Sequence, residues 1–223
     1  MNGNNKLGTS FYFYLASEIF SAFGDAIGKI AVSWFVYELT GSYVALGTIA
    51  LVAAIPEIFI LIFGGPLIDK FNKKQLLILI DSLRCLLYLL MPFMSLLGVL
   101  EVYHIYIIMT LIASIGALSL PTHVAMLAEI VPDQMLLKAN SWQSFSLRGI
   151  KVIGAGIAGM IVTFAGAEIG LIIDALTFGI SALLLPFVQI ENNEKTQRSK
   201  RKYLSEVTGA FKYFTVNPML ARG

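Results

Sequence analysis

Charge is what this chain has least of. Only 13% of its 223 residues are Asp, Glu, Lys or Arg, against the roughly one quarter with which a soluble domain covers its surface. With 57% hydrophobic residues and a mean hydropathy of +0.78, that shortfall excludes an ordinary water-soluble domain and makes a membrane protein the first expectation. The single cysteine, Cys85, excludes an intrachain disulfide. Two histidines, His104 and His123, are too few for a histidine-rich metal site. There is no H-E-x-x-H zinc sequence, no Walker sequence and no motif framing a nucleophilic Ser. An enzyme is therefore not expected, nor a cofactor or a metal. The net charge of +2 points to no nucleic-acid partner.

What the chain does have is long apolar runs. A helix needs about 20 mostly apolar residues to cross a bilayer, and six segments qualify: 11–37, 44–68, 75–98, 103–131, 141–165 and 168–189. The first could be mistaken for a signal peptide. It outruns the usual apolar core of about 7–15 residues and carries Asp25 and Lys29, so it reads as a retained helix. The expected organisation is a short N-terminus (1–10), an all-α bundle of six transmembrane helices (11–189) and a basic linker (190–223), amphipathic over Tyr203 to Phe214.

Positive charge sets the orientation. Lys70, Lys73 and Lys74 lie in the second connection, Lys138 in the fourth, and Lys195, Arg198, Lys200, Arg201 and Lys202 after the sixth span. The first, third and fifth connections hold only Glu38, Glu101 and Glu168. Both termini are expected in the cytoplasm, in a multi-pass protein of the plasma membrane.

An ionisable side chain at the centre of a spanning helix costs about 2.5–3.5 kcal/mol on insertion scales, yet several are kept. Asp25 and Lys29 are spaced i,i+4 on the first span, and Glu57 follows Pro56 near the middle of the second. Asp81 and Arg84 lie on the third, Arg148 and Lys151 on the fifth, Asp174 on the sixth. One reading is a polar cavity for substrate or protons; the other is internal pairing with snorkelling toward the interface. Asp25 and Glu57 suit the first, with Lys29 next to Asp25. Asp81, Arg84 and Arg148 suit the second, as an inner-side charge network, and Asp174 fits either. Desolvation favours the neutral form of a carboxyl group, the property a proton-coupling site uses, and a neighbouring Lys opposes it. His104 falls in an outer loop, and His123, after Pro121 and Thr122, reads as a satisfied core residue rather than a ligand.

Small residues recur at packing intervals. Gly24 and Gly28, and Gly166 and Gly170, have G-x-x-x-G spacing, which lets helices approach closely. "GAGIAG" (Gly154, Gly156, Gly159) matches a dinucleotide fingerprint in letters only, because no strand precedes it; helix packing is the better account. Pro56, Pro92, Pro121 and Pro186 are expected to kink their helices, and Trp34 and Trp142 to anchor at opposite interfaces.

"GGPLIDKFNKK" resembles the loop between the second and third helices of the major facilitator superfamily. The matching positions are Gly65, Asp69, Lys70, Asn72, Lys73 and Lys74. Asn72 stands where Gly is common, and Asn tolerates left-handed backbone. "FGDAIGKIAVSWFVYELTGS" and "LPTHVAMLAEIVPDQMLLKANSW" are similar to the drug-efflux branch that includes macrolide and siderophore exporters. "GAGIAG" is similar to the fifth-helix glycine motif of antiporters, with Ala155 in place of Pro and Ala158 in place of a closing Gly.

The resemblance implies the N-terminal six-helix half of a twelve-helix transporter. It implies proton-coupled efflux of small amphipathic compounds such as antibiotics, with lipid, substrate and protons as partners. Asp69 and the loop lysines would form a conformational gate against an opposite half, which a missing C-terminal half or a second copy would supply. The chain is then expected to be a fragment, a truncated product or one of two separate halves. The alternative of a different class is a non-transporting remnant or scaffold that needs a partner half.

Overall fold

The computed structural model describes residues 7–63, 68 and 70–190; among these there are helices and no strand. Among the described residues six segments are long and apolar enough to cross a membrane: Thr9–Thr40, Tyr43–Ile60, Lys73–Leu96, Val102–Ile130, Asp133–Ala165 and Ala167–Phe187. The chain is thus an all-α, multi-pass membrane protein.

Helix α1 (Thr9–Thr40) ends because Gly41 adopts φ 61°, a left-handed conformation cheap only without a Cβ, and its N–H donates to the Tyr37 carbonyl at 2.7 Å. Helix α2 is Tyr43–Phe63 and keeps Pro56 inside it. Helix α3 (Lys73–Leu96) starts at Asn72, whose side chain accepts from the Gln75 N–H at 3.1 Å. Asn72 sits at φ −66°, so it serves as a helix N-cap rather than as a left-handed substitute for Gly.

The fourth span is two helices, α4 (Val102–Gly116) and α5 (Ser119–Ile130), not one kinked rod. Pro121 lies in the first turn of α5, where its missing N–H is no loss, and the ladder of α4 ends at Ala117. His104 belongs to the first turn of α4 rather than to a loop; its Nδ1 accepts from the Glu101 N–H at 3.2 Å. A 3-10 turn (Asp133–Met135) leads into α6 (Leu136–Ala165), which begins before the expected residue 141 because "LLKAN" carries no breaker. Gly166, at φ 89°, separates α6 from α7 (Ala167–Leu184). Pro186 does not kink α7, which stops before it; Pro186 lies in a closing 3-10 turn, Leu185–Phe187.

α7 packs between α1 and α3, α6 lies against α1 and α7, and α2 leans mainly on α4. The apolar core joins Val32, Phe35 and Val36 of α1 to Met91 of α3, Ile105 and Ile108 of α4, and Leu171 and Phe178 of α7. The second and fifth spans are the least buried, and large apolar side chains such as Ile55, Phe145 and Phe164 face outward. Outward apolar faces of this kind suit a hydrocarbon solvent.

Candidate functional site

α1, α3 and α7 meet at a polar cluster in the middle of the bundle. Asp25 of α1 accepts a short, charge-assisted hydrogen bond from Arg84 Nη2 of α3. The i,i+4 neighbour Lys29 is exposed, so the pairing that sequence spacing suggested goes instead to a residue on another helix. The Arg84 guanidinium also lies over the Phe178 ring, 4.0 Å from its centroid, and Phe178 stacks on Tyr88 with centroids 5.7 Å apart. Arg84 Nε is buried without a partner.

Asp174 of α7 is completely buried; the Tyr88 hydroxyl lies near its carboxylate, but neither oxygen makes a hydrogen bond of good geometry. Asp25, Arg84, Lys29 and Tyr88 surround it. The room for it comes from α1. A Cβ on Gly28 would overlap the Asp174 carboxyl group, and one on Gly24 would overlap Asp174 and the Thr177 hydroxyl. The G-x-x-x-G spacing thus admits a carboxylate, not just a neighbouring backbone. Nearby, buried Asp81 of α3 accepts from Ser181 Oγ of α7 at 2.6 Å.

The other expected residues are distributed differently. Glu57 is exposed on α2, away from this cluster. Arg148 is exposed on α6 and does not join Asp81 and Arg84, so those three form no common network. Gly154 packs on Phe23 and Ala26, whereas Gly156 and Gly159 have no described atom within 4 Å of an added Cβ. The helix face they belong to turns outward, and the buried positions beside them are Ala158 and Val162. In the other G-x-x-x-G pair, Gly170 packs on Ala31 while Gly166 ends a helix.

Gly65 and Asp69 of the loop lie outside the described residues. Lys73 is buried and donates through Nζ to the carbonyls of Ile68 (2.6 Å) and Phe71 (3.0 Å). Lys74 Nζ reaches the other end of the chain, donating to Pro186 O at 2.7 Å and Val188 O at 2.9 Å, where the end of α7 leaves carbonyls unpaired. Lys70 is exposed.

Sequence reading missed a second polar group. Tyr14 and Glu18 of α1, His123 of α5 and Gln143 of α6 converge. A signal was present: Tyr14, Glu18, Ser21 and Asp25 recur at intervals of four and three along an apolar helix, which puts them on one face.

The sequence matches a model of a family described as transmembrane secretion effectors over residues 8–221. It is 26% identical over 182 residues to the staphyloferrin A transporter of Staphylococcus aureus, covering 77% of this chain and 44% of that protein. It is 22% identical over 204 residues to the multidrug efflux pump Tap of Mycobacterium tuberculosis, covering 89% and 48%. With the MFS-type transporter YfiS of Bacillus subtilis it shares 23% over 213 residues, 94% of this chain and 50% of that one. The chain spans about half the length of the curated relatives it matches. Six membrane-spanning segments and a family match over nearly the whole sequence make this chain a member of the transmembrane secretion effector family of major facilitator transporters, corresponding to an N-terminal half.

Proposed function

We propose that the chain is one six-helix half of a secondary active transporter that exports small amphipathic compounds in exchange for protons. The observation that carries this reading is Asp174. An ionised carboxylate held in a membrane interior without a well-formed hydrogen bond is costly, and natural spans retain such groups where they serve a pathway. Binding a proton, or a cationic substrate group, removes that cost. Arg84, tied to Asp25 and adjacent to Asp174, can hold one carboxylate while the other exchanges its partner. Asp25 and Asp174 are therefore the proposed coupling pair, with Lys29 at its edge and Glu57 as an outward-facing group on the least enclosed helix. Gly65, Asp69, Lys70, Asn72, Lys73 and Lys74 are proposed as the conformational gate, with Lys73 and Lys74 donating to the chain's own carbonyls. The distribution of Lys and Arg supports a cytoplasmic position for both termini.

Everted vesicles containing the chain, with an amphipathic cationic dye supplied outside, test this. Dye movement that stops on adding a protonophore, and is lost in Asp174→Asn, is the expected result. Vesicles showing no gradient-driven movement above empty membranes would rule out autonomous transport. They would leave the half as a scaffold for a partner half.

A further inference from the structure

The Tyr14–Glu18–His123–Gln143 group is joined around one hydroxyl, and that restricts where its protons sit. The Tyr14 hydroxyl lies 3.1 Å from three atoms: the His123 carbonyl oxygen, His123 Nδ1 and Gln143 Nε2. It has one hydrogen to give. The carbonyl can only accept and the amide nitrogen can only donate. The hydroxyl therefore accepts from Gln143, and gives its one hydrogen to one of the acceptors around it: the His123 carbonyl, the neighbouring Glu18 carboxylate or a bare Nδ1. Nδ1 faces the Glu18 carboxylate as well as the hydroxyl, which favours the tautomer with hydrogen on Nδ1, donating to the hydroxyl oxygen. The second Gln143 N–H goes to Glu18 Oε2 at 2.7 Å, which leaves Glu18 Oε1 facing His123 Nδ1 at 3.8 Å. Tyr14, Glu18 and His123 are all buried, on two different helices, with Gln143 closing the group from a third.

With Nδ1 so occupied, the imidazole has one position left to titrate, Nε2. When Nε2 is bare, the pair is a neutral ring beside a carboxylate and carries one negative charge inside the membrane. When Nε2 takes a proton from water, the pair is an imidazolium beside a carboxylate and its net charge is zero. We propose that Glu18 and His123 form a proton-binding site distinct from the Asp25–Arg84–Asp174 cluster, holding one exchangeable proton inside a frame built by Tyr14 and Gln143. The charged groups that face it from neighbouring elements are Lys151 of α6 toward Glu18, and Arg84 of α3 and Asp25 of α1 toward His123. The site does not depend on the chain carrying out transport by itself.

The chain's two histidines make the test direct. The full chain with His104→Gln, labelled with nitrogen-15 at histidine and held in lipid nanodiscs, reports on His123 alone by NMR. Nδ1 is expected to stay protonated throughout, with one titration step at Nε2. Glu18→Gln removes the anion that balances the imidazolium, so the step should move to lower pH by at least about one unit, a tenfold loss of proton affinity. Gln143→Leu removes the donor that stabilises the carboxylate and should move the step the opposite way, so the two variants are checks on each other. A step that stays in place in both variants, or no step at all, overturns the proposal. Tyr14→Phe should release the tautomer, giving mixed Nδ1 and Nε2 signals for the neutral ring; a ring still locked in one tautomer also counts against it.

Discussion

Replacing Arg84 by Met tests whether the polar centre is held by charge. The Arg84 side chain is almost wholly enclosed, while that of Asp25 is 32% exposed. Removing one partner of a buried ion pair costs about 3–5 kcal/mol, because the other charge is left without compensation. Partial access of Asp25 to solvent puts this pair at the lower end, about 3 kcal/mol. The guanidinium over Phe178 adds about 0.5–2 kcal/mol that Met recovers only in part. Asp174 is also deprived of its nearest cation, so the loss falls on two carboxylates at once. A total of about 3–4 kcal/mol corresponds, for a chain of this length, to a fall in melting temperature on the order of 10 °C. Cys85 provides the assay. It is the only thiol, half-buried where α3 faces Gly179 of α7, so a thiol-reactive dye reports the parting of those helices. The melting midpoint should fall in Arg84→Met and recover in part in Asp25→Asn/Arg84→Met, where one orphaned charge is removed. A midpoint unchanged in the single variant, or equally low in the double, would refute the ion-pair argument.

Two further outcomes can be read with the same dye. Gly28→Ala should destabilise the chain by about 1–3 kcal/mol through overpacking against Asp174, whereas Gly156→Ala, with nothing to meet, should be neutral or slightly stabilising within about 1 kcal/mol. Lys74→Met deletes both hydrogen bonds to the end of α7 and should lower stability by about 1 kcal/mol, with Lys74→Arg restoring most of it.

The six spans were legible because length and apolar composition report directly on a bilayer crossing, and each observed span overlaps its expected segment. Partners were less legible. Spacing along one helix made Lys29 the obvious mate for Asp25, but the actual mate, Arg84, is 59 positions away, and no periodicity in a single sequence encodes which helices touch. The same limit hid the outward turn of Gly156, Gly159 and Arg148, since facing depends on where α1 and α7 sit around α6. Glu18 was overlooked for another reason. It sits nearer the helix start than the mid-span charges that draw attention, and only the recurrence of Tyr14, Glu18, Ser21 and Asp25 on one face marks it.

The interruption at Ala117 and Leu118 bears on how this bundle could deform. An unbroken helix is a stiff lever: tilt one end and the other end swings. Here the fourth crossing is jointed. α4 is held by α2 and α3, while α5 also packs on α3 and carries His123 into its tie with Tyr14 of α1. A displacement of α5 that breaks or reforms the Tyr14 bonds can therefore be absorbed at the joint, leaving the opposite end of the crossing in register with α2.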